Sequence, residues 1–222
     1  MKIKHLNKIF ITILTVSIMI LSALLFSACD KGFQEKDISI EQASILLNDA
    51  LTNAKACETI YEEYCENGQK SSWNYVNSEC VYFDYGDDSY GNDKEWTYID
   101  TEENDGQTKT FFIKYCYSSS QNSGYSANYY YSNPSLIDHF YNYSYLSDIE
   151  DFILYYDFTA KQTNKNEFVI SFTFDTSTLK IKIVDGYIVS QILTDESYDG
   201  YNEIKYEYNV NKNIPALPDI AW

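Results

Sequence analysis

The sequence predicts an α+β domain: one large, curved antiparallel sheet, a half-barrel of about nine or ten strands, carrying an amino-terminal helix and a short helical pair across its concave face. Three observations carry this. Most of the chain alternates apolar and polar residues, the period of a strand with one covered face. Asn-Gly and Asp-Gly pairs at Asn67-Gly68, Asp105-Gly106, Asp185-Gly186 and Asp199-Gly200 separate these runs and read as hairpin turns. Helical spacing is confined to residues 39–54 and 135–156.

The chain begins with Lys2, Lys4, His5 and Lys8, then runs uncharged and apolar from Ile9 to Phe26, with small residues before a polarity switch at Asp30. That is the layout of an export signal. An uncleaved anchor needs about 20 apolar residues. A plain cleaved signal wants a small side chain where Phe26 stands. Ser27-Ala28-Cys29 after large apolar residues resembles the lipobox of bacterial lipoproteins, and this reading fits best. The resemblance implies a signal peptide over residues 1–28, a cut before Cys29, and a diacylglyceryl group on its sulfur. Two acyl chains anchor stably where one is marginal. The expected localisation is the cell membrane, lipid-anchored and facing the extracytoplasmic side. Residues 29–38 would be a polar tether, and 39–222 a single domain.

Within that domain Ser39 and Gln42 form a capping-box pattern, and Ala43, Leu46, Leu47, Ala50, Leu51 and Ala54 recur at helical spacing. Cys57, Ile60, Tyr61, Tyr64 and Cys65 could extend this stripe, but Asn67-Gly68 favours a strand near 58–66 and a return strand. "CVYFDY" at 80–85, "EWTYID" at 95–100, "KTFFIKYCYS" at 109–118 and "YSANYYYS" at 125–132 read as further strands. After Asn133-Pro134, Leu136, Ile137, Phe140 and Tyr141 mark one short helix. Ser147 and Glu150 suggest the capping box of a second, with Ile149, Phe152, Ile153 and Tyr156 as its apolar face. An antiparallel meander follows. Phe168, Ile170, Phe172 and Phe174 share one face of its first strand, and Leu179, Ile181 and Ile183 alternate with lysines. "YIVSQILT" leads to "NEIKYEYNV", where Ile204, Tyr206, Tyr208 and Val210 share a face. Two prolines in "IPALPD" at 214–219 end strand pairing.

This layout resembles the LolA-like half-barrel of lipoprotein carriers. The ending Y-x-Y-N-x-x-x-x-I-P is carried here by Tyr206, Tyr208, Asn209, Ile214 and Pro215. The chain is also similar to Tyr-rich lipoproteins of low-GC gut bacteria. The resemblance implies a concave face that encloses apolar cargo. Phe168, Ile170, Phe172, Ile204, Tyr206 and Tyr208 are the residues expected to line it.

Composition narrows the function. The 222 residues carry a net charge of −17, and every one of the 16 basic residues is lysine. Such a chain repels nucleic acid, and without arginine it lacks the fork that grips phosphate. Cys57, Cys65, Cys80 and Cys116 are either two disulfides or free thiols. No catalytic residue is expected: Ser126 lacks the second glycine of a nucleophile elbow, and His139 sits beside Phe140 on a helical stripe. The acidic runs at Asp84, Asp87, Asp88, Asp93 and Glu95, and at Asp100, Glu102, Glu103 and Asp105, match no calcium loop, so no metal or other cofactor is expected. Two partner readings stay open. One is a small apolar or amphipathic ligand in the concave face. The other is an envelope polymer, glycan or envelope protein, met by exposed members of the 23 tyrosines.

Overall fold

Two-residue turns with left-handed residues decide how this chain folds back on itself. Asn67 and Gly68 have φ of 49° and 78°, and Asp185 and Gly186 have 51° and 80°. Positive φ at both central residues matches the right-handed twist of the flanking strands. The computed structural model describes residues 33–86, 93–104, 107–130, 134–197 and 199–220. In chain order these form β1 (Lys36–Asp37), α1 (Ile40–Lys55), β2 (Ile60–Glu66), β3 (Gln69–Val76), β4 (Val81–Asp84), β5 (Lys94–Asn104), β6 (Gln107–Ser118) and β7 (Ser123–Tyr130). Then come α2 (Leu136–Tyr143), α3 (Tyr145–Tyr155), β8 (Phe158–Asn164), β9 (Glu167–Phe174), β10 (Ser177–Val184), β11 (Tyr187–Asp195) and β12 (Tyr201–Tyr208).

All 12 strands join one open, curved antiparallel sheet in the order β1-β8-β9-β10-β11-β12-β2-β3-β4-β5-β6-β7. The two meanders meet at β12 and β2, where Asn202 faces Glu66 and Tyr208 faces Ile60. The helices cover one face. Helix α1 packs on β8 and β11, and α2 on β3, β4 and β5. Ala43, Leu47, Ala50 and Ala54 of α1 and Ile170, Phe172, Ile181 and Ile183 of the sheet are all fully buried in this core. Each large side chain so buried contributes about 1.5–3 kcal/mol. Glu150 of α3 links the helices to one another, accepting from Lys55 Nζ of α1 at 3.0 Å and Tyr141 Oη of α2 at 2.9 Å.

The opposite face has a smaller core of Cys80, Tyr82 and Trp96, covered by Ile214 and Leu217 of the carboxy-terminal tail. Trp96 Nε1 donates to the Pro215 carbonyl at 2.8 Å, and Tyr75 Oη to the Val210 carbonyl at 2.9 Å. The prolines end strand pairing as expected, and the tail they stiffen then crosses the back of the sheet.

The α+β half-barrel expectation holds, and five points sharpen it. The sheet has more strands than nine or ten, because β8 and the two-residue β1 carry too little alternation to read. Lys36 and Asp37, placed in the polar tether, pair with Gln162 and Lys161 of β8. The ambiguous segment near 58–66 is a strand. Helix α3 starts earlier than its Ser147 signal: Ser144 is the N-cap and accepts from the Leu146 N–H, while Glu150 turns to Lys55 and Tyr141. Cys57, Cys65, Cys80 and Cys116 are free, buried thiols.

Candidate functional site

Strand register assembles two rows of side chains on the helix-covered face. In one, Leu179 lies opposite Leu193, which lies opposite Asn202. In the next, Gln191 lies opposite Ile204, and Ile204 opposite Tyr64. Helix α3 faces these rows with Tyr145, Asp148 and Phe152, spaced i, i+3 and i+7 so that they share one side of the helix. Between helix and sheet lies a groove of about 320 Å³, completed by Phe174. That is at the small end of ligand pockets, about 300–1,000 Å³. Its walls are mainly apolar. Leu193 remains 36% exposed while Leu179 and Ile204 are buried, so the groove is open at the strand ends and closed below.

A buried polar network closes the inner end. Glu62, 1% exposed, accepts from Asn74 Nδ2 at 2.6 Å and from the Tyr145 N–H at 3.2 Å. Gln191 Nε2 donates to Tyr206 Oη and, at 3.2 Å, to the Tyr145 carbonyl. Burial is the main cause that lifts the Glu62 carboxyl to about 7, against the pull of its hydrogen-bond donors. Burial, then the charge of Asp151, raises Asp148 at the rim above its ordinary range. An occupant would therefore meet aliphatic and aromatic walls, the Gln191 and Asn202 amides, and an acidic rim.

Of the six residues expected to line a cavity, only Ile204 reaches this groove. Ile170 and Phe172 are fully buried in the core, and Phe168 packs against it half-buried. Tyr206 is 4% exposed with its hydroxyl in the Glu62 network, and Tyr208 donates to the Ile188 carbonyl at 2.8 Å. Alternation identified the inward face correctly, but the helices fill most of it. Tyr145, Asp148, Gln191, Leu193 and Asn202 were not anticipated as site residues. The i, i+3, i+7 spacing of the helical three was the signal available for them.

Cys29 lies outside the described residues, as do Asp87, Asp88 and Asp105 of the acidic runs. Among the described acids, Asp84 accepts from Tyr82 Oη and the Gly86 N–H, Asp93 from the Ser119 N–H, and Glu95 pairs with Lys114. Among the described residues no three His, Cys, Asp or Glu side chains converge as a metal site.

No protein-family model matches the chain, and no curated protein matches it. Among solved structures it is similar to the crystal structure of LprF from Mycobacterium bovis, at 10% identity and a TM-score of 0.38. That likeness covers 82% of this chain and 99% of LprF, and an overlap this loose carries no functional argument.

Proposed function

We propose that this is an extracytoplasmic lipoprotein, tethered to the cell membrane by a diacylglyceryl group on Cys29, that binds a small apolar or amphipathic ligand without transforming it. The observation that carries the reading is the groove between α3 and β10–β12, apolar along its walls and polar at its inner end. Its acidic rim and the net charge of −17 favour an uncharged or cationic head group over an anionic one. Binding without chemistry is supported by His139, the one histidine in the folded domain: burial, then the charge of Lys114, lowers it to about 4, a poor general base at neutral pH.

The test is ligand-detected binding with three single-chain amphipaths of equal length, bearing uncharged, cationic and anionic heads. The uncharged and cationic probes bind, and Leu193→Lys removes that binding while the fold persists. Equal binding by the variant would move the ligand elsewhere.

A further inference from the structure

A second site lies on the other side of the helical pair. His139 of α2 is 9% exposed, and among the described residues its Nε2 is the one buried side-chain polar atom without a hydrogen-bond partner. A buried, unpaired polar atom carries a desolvation penalty that a ligand can remove. His139 borders a chamber of about 80 Å³ walled by Thr97, Phe112, Lys114, Tyr129 and Tyr143. Phe112, His139 and Tyr143 also border an outer cleft of about 390 Å³, with Ser135, Asp138 and Asn142 on its far side. Ser135, Asp138, His139 and Asn142 stand at i, i+3, i+4 and i+7, so one stripe of α2 carries the polar groups.

The charge pattern selects the ligand. Lys114 Nζ is already paired with Glu95 Oε1 at 2.8 Å, and both side chains are mostly buried. Among the described residues no cation is left over in the chamber to neutralise an anion. The Lys114 ammonium also lies 5.9 Å from the Tyr129 ring centroid and 5.7 Å from that of Tyr143, where a cationic ligand would otherwise sit. What remains unmet is hydrogen bonding by a neutral imidazole, beside two tyrosine rings that are 44% and 62% exposed. Tyrosine offers a large, stiff stacking surface. A pyranose ring presents an apolar C–H face to such rings and hydroxyls that both donate and accept.

We infer that this cleft binds an uncharged saccharide, with one hydroxyl in the chamber on His139 Nε2, its ring against Tyr129 and Tyr143, and its outer hydroxyls on Asp138 and Asn142. The site is separate from the α3 groove and does not depend on what that groove holds.

The test follows the His139 imidazole ¹⁵N resonance of the full-length chain during titration with glucose, N-acetylglucosamine and, as the anionic counterpart, glucuronate. The signal is assigned by its loss in His139→Phe. A saturable shift with a neutral sugar and not with glucuronate is expected. Tyr143→Ala, which alters an exposed ring, weakens binding about tenfold, as the loss of one good contact would. His139→Phe, which replaces the orphaned nitrogen by an apolar ring, abolishes binding, read by saturation transfer from the protein to the sugar. Absence of a shift with both neutral sugars overturns the proposal, as does preference for glucuronate or an unchanged affinity in Tyr143→Ala. Should His139→Phe fail to fold, the wild-type titration and Tyr143→Ala still decide the matter.

Discussion

The backbone N–H of Tyr145, the first residue of α3, donates to Glu62 Oε2 of β2 across 3.2 Å. A helix N-terminus is thus held by a carboxylate that is buried, costly to ionise, and close to the groove the helix walls.

That placement gives stability a pH dependence with two opposing parts. Burial first, partly offset by hydrogen bonds from Asn74, Tyr145 and Tyr206, raises Glu62 from 4.5 to about 7. Between those values the folded chain keeps a proton that the unfolded chain has lost, so this part of the stability falls as pH rises. His139 is lowered from 6.5 to about 4, so between those values the unfolded chain holds the extra proton and this part rises with pH. Each amounts to roughly 3 kcal/mol, at about 1.36 kcal/mol per pH unit. These two parts nearly cancel from pH 4.5 to 6.5, so relative to the wild type Glu62→Gln gains stability with rising pH and His139→Phe loses it. Denaturant midpoints of the two variants across this range check the signs; parallel profiles would contradict the assignment.

Core and groove separate under substitution. Phe172 is fully buried, and Phe172→Ala costs about 3–5 kcal/mol. Leu193 is 36% exposed, and Leu193→Ala costs under about 1 kcal/mol while weakening ligand retention. Urea unfolding of both variants distinguishes the filled part of the inward face from the open part.

The tail that crosses the back of the sheet depends on one indole. Trp96→Phe keeps the ring packing but loses the bond to Pro215, at a cost of about 1 kcal/mol. Hydrogen exchange at Ile214 and Leu217 quickens in this variant while β9–β11 amides are unchanged.

The fold was legible because one covered face imposes alternation and because Asn67-Gly68 and Asp185-Gly186 demand left-handed turns. The start of α3 was not, since Ser144 and Ser147 both suit an N-cap, and the Tyr145–Glu62 contact at its first residue joins residues distant in sequence. Of the groove, the sequence showed the inward face but not which part of it stays open. Ile204, Tyr206 and Phe172 read correctly as inward. Alternation along a strand says nothing of where a helix lies above it, so it could not tell that Phe172 is capped by α3 while Leu193 is left open. The Glu62 network was hidden for a related reason: Glu62 and Asn74 meet in the β2–β3 hairpin, Gln191 and Tyr206 on neighbouring β11 and β12, and these two halves, far apart in sequence, join only through the pairing of β12 with β2.

Thiol counting tests the proposed anchor. The sequence has five cysteines, and Cys57, Cys65, Cys80 and Cys116 are free and buried. Burial raises all four thiols, Cys80 to about 11, so each reacts slowly in the folded protein. Chain purified from membranes and then denaturated shows four reactive thiols when Cys29 carries its acyl group, and a fifth when it does not.

The most direct test of the central claim is native mass spectrometry of the anchored chain, Cys29 onward, extracted from membranes, beside Leu193→Lys prepared in the same way. The account predicts that the wild type retains a small apolar or amphipathic molecule and that the variant, still folded, has lost it. An empty wild type, or the same molecule retained by both, would contradict it.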